Sequence, residues 1–235
     1  MKAYTSNNIR NIAVLGHGGK GKTTLCEAML YIAGASDRLG RVADGNTVLD
    51  FDSEEKRRKS SVSSAIAALE WDNTKLNIID APGLFDFEGG AAEAVRAAEA
   101  VLIVTSAGSG VDVGTEKAFR AAEKKGAAKF FAVTKTDSDH RNFYKTFDAL
   151  KEVYGNKLCP TIIPYMEGNI TKCYVNLMTG MAFSYDENGK ATKVPVPEDK
   201  VVVDDLEPGT DEGDGGIGGD VDDWDDETDV ELPVN

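Results

Sequence analysis

Eight residues constrain this chain more than any others: Gly16-His17-Gly18-Gly19-Lys20-Gly21-Lys22-Thr23. They fit the pattern Gly-x-x-x-x-Gly-Lys-Thr. They directly follow the apolar run Ile12 to Leu15 and open a stretch in which Leu25, Ala28, Met29, Ile32 and Ala33 recur at helical spacing up to Gly34. Between a strand and a helix, glycines let the main chain curl until its N–H groups converge on phosphate oxygens, and the helix adds its positive end at the same point. Lys22 would neutralise the β- and γ-phosphates, and Thr23 would offer its hydroxyl to Mg²⁺. The whole loop, with Thr24 behind it, is the expected phosphate-binding segment. A Gly-rich turn with an exposed lysine would not need a strand before it and a helix after it.

The rest of the sequence supplies the sheet such a loop requires. Leu76 to Ile79, Val101 to Val104 and Phe130 to Val133 are short apolar runs that read, like Ile12 to Leu15, as buried parallel strands. Thr115 to Lys125, ended by Gly126, and Phe143 to Tyr154, before Gly155, read as helices. Ser63 to Trp71 is strand-like and is expected to pair antiparallel with Leu76 to Ile79 across the turn at Asp72 to Thr74. Ser36 to Ser61 reads as a long polar loop without obvious structure, of the kind that carries function. After Pro160 short strands follow, with a hairpin in which Ala182 to Tyr185 and Ala191 to Val194 flank Asp186 to Gly189. The expected fold is α/β, a P-loop NTPase with a doubly wound, mostly parallel sheet, a small β-rich insert and a disordered acidic tail. The expected divisions are 1–158, 159–203 and 204–235, with ligands at the carboxyl ends of the strands.

Two further motifs fall at those strand ends. Asp80-Ala81-Pro82-Gly83 follows Ile79. An acid there can hold Mg²⁺, and the Gly83 N–H can bond the γ-phosphate, so that Lys22 and Gly83 are the groups expected to act on the transferred phosphate. Thr134-Lys135-Thr136-Asp137 follows Val133. The Asp137 carboxylate can accept from N1–H and the 2-amino group of guanine, a donor pair adenine lacks, while Lys135 lays its stem along the base. Either motif alone is an ordinary turn or a solvated loop. In this order, on successive strand ends, they select a guanine nucleotide.

Charge and cysteines bound the setting. Asp204 to Glu231 hold 14 of the 40 acids and no base, which leaves 26 charges of each sign in the body and places the whole net charge of −14 in the tail. With apolar residues so sparse, that tail cannot repay ordering entropy and is expected to be disordered. Cys26, Cys159 and Cys173 show neither a disulfide framework nor zinc spacing. His17 and His140 have no plausible metal partner. No run approaches a membrane span, and no secretory leader opens the chain. A cytoplasmic protein without a membrane partner is expected.

Ile9 to Thr24, Asp44-Gly45, Asp50 to Ser64, Asn77 to Phe87 and Thr134 to Asp137 resemble the G domain of elongation factor G. They are more similar to its elongation-factor-G-like paralogues, because Gly18-Gly19-Lys20 stands where the factor has Ile-Asp-Ala. The resemblance implies a Mg²⁺-dependent GTPase of protein synthesis that alternates between GTP and GDP and meets the ribosome. It makes Ser36 to Ser61 switch I, with Ser61 in place of the threonine that ligands Mg²⁺, and Asp80 to Phe87 the start of switch II. The metal ligands implied are Thr23, Ser61 and Asp80.

Three departures carry consequences. Leu84 replaces the histidine that orients the attacking water, which implies slow intrinsic hydrolysis. Thr134 replaces an asparagine, at a cost on the order of 1 kcal/mol of nucleotide affinity. The strand, Ser-Ala loop and closing helix that follow the insert in the family are not found after Val203, so apolar surface near Phe130 to Val133 is expected to lie uncovered. The acidic tail would be repelled by RNA phosphates, and no sequence-specific nucleic-acid binding is expected. Two other readings are a ParA/MinD-like ATPase, on the strength of Gly18-Gly19-Lys20-Gly21-Lys22-Thr23-Thr24, and a truncated module that binds GTP without turning it over.

Overall fold

A computed structural model describes residues 3–136, 143–167, 170–186 and 190–197 of the chain. Asp137, His140, the hairpin tip at 187–189 and the acidic tail at 204–235 lie outside the described residues. In chain order the elements are β1 (Ile9–Leu15), α1 (Lys22–Ile32), α2 (Ser53–Arg58), β2 (Ala65–Trp71), β3 (Thr74–Asp80), α3 (Glu88–Ala97), β4 (Ala100–Ser106), α4 (Val113–Lys125), β5 (Ala128–Thr134) and α5 (Phe143–Tyr154). Four strands follow: β6 (Ile162–Glu167), β7 (Ile170–Asn176), β8 (Met181–Tyr185) and β9 (Ala191–Val194). None of the described helices is long and apolar enough to cross a membrane.

The first five strands form one sheet in the order β2-β3-β1-β4-β5. All neighbours are parallel except β2, which pairs antiparallel with β3 from Ala65↔Asp80 to Trp71↔Thr74. That hairpin closes through Asp72 and Asn73, both at positive φ (43° and 57°), the handedness that matches the twist of a tight hairpin. Helices cover both faces. Cys26 and Leu30 of α1 pack with Val14, Ile78 and Val104, while Val95 of α3 and Phe119 of α4 pack with Ala13, Ile79 and Ile103. Alternate residues of each central strand therefore enter opposite cores, which is why these strands read as continuous apolar runs. The second sheet, β6-β7-β8-β9, is antiparallel throughout and buries Cys173, Val175 and Ala182.

Two elements depart from the sequence reading. The interval Ser36 to Ser61 contains α2, whose start is a capping box: Asp52 accepts from the Glu54 N–H, and the Glu55 carboxylate accepts from the Asp52 N–H. α3 was not expected, because Glu88-Gly89-Gly90-Ala91-Ala92 carries little periodic apolar signal; its helix depends on packing Ala94 and Val95 into the sheet. As expected of the outer edge, β5 leaves the Phe130 side chain 56% exposed, while Phe131 on the opposite face packs against Phe119 and Tyr154.

Candidate functional site

The carboxyl ends of β1 and β3 and the N-terminus of α1 converge on one cleft of about 210 Å³, lined among others by Gly18, Gly21, Lys22, Thr23, Asp50 and Ser61. That is smaller than the roughly 300 Å³ typical of a whole-ligand pocket, and in this conformation it suits a phosphate chain. The loop between β1 and α1 owes its path to glycine. Gly16 sits at φ 136°, where a Cβ would lie 2.3 Å from the Val104 carbonyl oxygen, and Gly21 caps α1 at φ 89°. Lys22 is buried and its ammonium donates to the carbonyls of Gly16 (3.0 Å) and His17 (3.1 Å) of its own loop. Burial lowers the Lys22 pKa, an effect that Asp80 opposes.

Around Thr23 the structure gathers residues from four segments. The Thr23 hydroxyl donates to Asp80 Oδ2 at 2.6 Å and lies 3.1 Å from Ser61 Oγ, which in turn donates to Asp50 Oδ1 at 2.7 Å. Asp50 and Asp80 are 3% and 1% exposed, yet Asp50 Oδ2 and Asp80 Oδ1 have no hydrogen-bond partner among the described residues. Two hydroxyls and two orphaned carboxylate oxygens are hard donors of the kind Mg²⁺ takes, and no group of three His, Cys, Asp or Glu side chains gathers here or elsewhere among the described residues. The donor set therefore fits a cation completed by phosphate oxygens and water.

Gly83 closes the cleft. A Cβ there would lie 2.2 Å from Lys22 Nζ and 2.8 Å from the Gly18 nitrogen, so only glycine allows this approach. Leu84 is 40% exposed, and its Cδ2 would be 3.0 Å from a Cβ at Gly18, so a methyl group covers the loop at this point. Thr134 donates its hydroxyl to the Lys20 carbonyl (2.6 Å) and also contacts the Thr105 carbonyl (3.1 Å), while Lys135 Nζ donates to the Gly19 carbonyl at 2.6 Å. These two residues therefore meet the phosphate loop. What His17 and Lys20 offer the cleft is main chain: the His17 ring packs edge-on against Phe85, and the Lys20 ammonium lies 3.1 Å from Asp112. Thr24 is exposed at the rim.

Sequence reasoning missed Asp50, Glu27 and Glu55, all buried. Glu55 had a signal, the Asp52-x-x-Glu55 spacing of a capping box; its carboxylate also accepts from the N–H groups of Val62 and Ser63, next to Ser61. Asp50 and Glu27 had none, because nothing local says that an acid in a polar segment will be drawn inward or that one in an apolar helix will stay buried.

Burial raises the Asp80 carboxyl to about 7, with Asp50 and Glu27 adding and Thr23 and Lys22 opposing. The folded protein thus holds this proton to higher pH than the unfolded chain, whose carboxyl titrates near 4. The stabilising neutral form is complete below that value and is lost as pH rises to 7. In magnesium-free denaturant titrations, Asp80 should therefore cost the fold up to about 4 kcal/mol between pH 4 and pH 8. Asp80→Asn should remove that part of the slope; an unchanged slope would show that Asp80 is not the titrating group.

Comparison with known proteins adds an independent line. Residues 7–203 match the family model described as the elongation factor Tu GTP binding domain. An elongation factor G-like protein of Mycobacterium tuberculosis is 34% identical over 191 residues, 81% of this chain and 26% of that protein. Elongation factor G of Mycoplasma genitalium is 29% identical over 200 residues, 85% of this chain and 29% of the factor. A crystal structure of a protein from Thermus thermophilus superimposes with a TM-score of 0.76 at 37% identity, covering 81% of this chain and 28% of the other. The chain thus spans less than a third of the length of each.

Proposed function

Since this chain belongs to the elongation factor Tu GTP binding domain family, whose shared module binds GTP, we propose that it is a Mg²⁺-dependent guanine-nucleotide switch with slow intrinsic GTP hydrolysis. The observation that carries this reading is the contact set around Thr23, in which Asp80 and Ser61 from separate segments meet the first turn of α1 beside Lys22. In the proposal, the N–H groups of Gly18, Gly19 and Gly21 cradle the phosphates. Lys22 leaves its own loop carbonyls for the β- and γ-oxygens, and Gly83 N–H senses the γ-phosphate. Thr23, Ser61 and Asp80 would hold Mg²⁺, and Asp50 would support Ser61. The bound ion would supply charge neutralisation across the β- and γ-phosphates. Asp137 selects guanine.

Loss of the γ-phosphate would release Gly83 and Ser61 together, so that switch I and switch II respond to one event. Leu84 supports a low rate, because a hydrocarbon side chain can neither accept a proton from water nor orient it. The same residue favours a second reading, a module that binds GTP and signals without turning it over. The names of the relatives make translation the proposed process and the ribosome the proposed partner, in the cytoplasm.

Thermal melting with competing nucleotides tests the proposal. GTP or GDP with Mg²⁺ at about 100 times Kd should stabilise the fold by about 2.7 kcal/mol, and ATP should be much weaker. Tighter displacement by ATP would favour the ParA/MinD-like reading, and no shift with any nucleotide would remove the proposal.

A further inference from the structure

α1 carries a carboxylate that nucleotide binding leaves unused. Glu27 lies one turn beyond Thr23 and is fully buried. Its Oε1 accepts from the main-chain N–H groups of Val48 (2.8 Å) and Leu49 (3.0 Å). Its Oε2 is pressed against Gly40, where a Cβ would lie 2.2 Å away, and has no hydrogen-bond partner among the described residues. A buried carboxylate is costly, and at a position flanked by the core residues Cys26 and Leu30 an apolar side chain would pack without that cost. What Glu27 alone supplies is an acceptor for two N–H groups of a segment that otherwise crosses α1 through few polar contacts.

The contacts continue from there toward the cleft. Asp50 N–H donates to Thr47 Oγ1 at 3.2 Å, Ser61 donates to Asp50 at 2.7 Å, and Ser61 lies 3.1 Å from Thr23. We propose that Glu27 is a latch, a positioning residue that fixes residues 47–50 to α1 so that Asp50 and Ser61 reach the cation side of the cleft. Gly40 belongs to the same crossing, because a Cβ there would meet both the Glu27 carboxylate and, at 2.8 Å, the Thr47 Cα. The latch itself stands on the contacts described; its effect on metal-dependent affinity rests on the guanine-nucleotide reading.

Two readouts test it with the full chain. The first is limited trypsin cleavage of the nucleotide-free protein at the exposed Arg41, Arg57 and Arg58. The second is the affinity for a fluorescent GDP with excess Mg²⁺ and with EDTA. Loss of two charge-assisted hydrogen bonds in Glu27→Ala should speed cleavage by about tenfold or more and remove about tenfold of the Mg²⁺-dependent gain, with affinity in EDTA unchanged. Glu27→Gln keeps an acceptor for both N–H groups and should restore most of each effect. Glu27→Met, which fills the site without an acceptor for the two N–H groups, should reproduce the loss, and it decides the matter by the same readouts if Glu27→Ala does not fold. Wild-type cleavage and a wild-type Mg²⁺ gain in either loss variant would overturn the latch. Absence of GDP uptake by the wild-type protein would instead remove the nucleotide reading, and the cleavage experiment would still judge the latch.

Discussion

Lys22→Ala should leave a folded protein that no longer takes up GTP or GDP at concentrations that saturate the wild type. The ammonium is buried and is held by two carbonyls of its own loop. A phosphate chain that enters the cleft would exchange those neutral acceptors for charged ones. Truncating one partner of such a buried charge pair costs about 2–5 kcal/mol, which lowers affinity by about thirtyfold to several thousandfold. The fold should survive, because Ala at the first helical position keeps α1 and removes a desolvated charge at the same time. Calorimetric titration of GDP with Mg²⁺ measures the loss. A Lys22→Ala protein that binds as the wild type does would show that the loop between β1 and α1 does not hold phosphate.

The second large effect concerns rate rather than affinity. Leu84→His should raise single-turnover GTP cleavage by about a hundredfold or more, the scale on which a positioned acid–base group acts. Leu84 follows Gly83, which is wedged between Lys22 and the phosphate loop, and its side chain already lies over Gly18 at a partly exposed position. An imidazole attached there would put a proton acceptor over the loop between β1 and α1, where a hydrocarbon side chain stands now. GTP affinity should change little. Equal rates for both proteins, with or without ribosomes, would show that hydrolysis is limited elsewhere.

Much of this architecture could be read from residue pattern because its elements state themselves locally. The central strands β1, β3 and β4 send alternate residues into cores on both faces and so appear as apolar runs, and the edge strand β5 reads the same way although Phe130 faces outward. Gly34, Gly126 and Gly155 stop their helices in the left-handed conformation that glycine alone adopts cheaply. The loop between β1 and α1 and the turn after β3 are legible for the same reason, since Gly16 in the first and Gly83 in the second are required by contacts closer than a Cβ permits.

The hidden part is non-local. α3 holds its place through two small side chains, and a run of alanine and glycine does not announce a helix. The inward turn of Glu27 and Asp50 depends on where residues 40–61 cross α1, which no spacing along the sequence encodes. The interval 36–61 looked structureless because its order comes from carboxylates binding main-chain N–H groups, contacts that leave no apolar periodicity behind.

The bonds from Thr134 to the Lys20 carbonyl and from Lys135 to the Gly19 carbonyl tie the segment after β5 to the loop between β1 and α1 within the protein itself. Loops that would otherwise have to be immobilised on association are already docked, so their ordering entropy belongs to folding and not to recognition. A ligand that touches both segments would then meet two stretches of chain already fastened to each other.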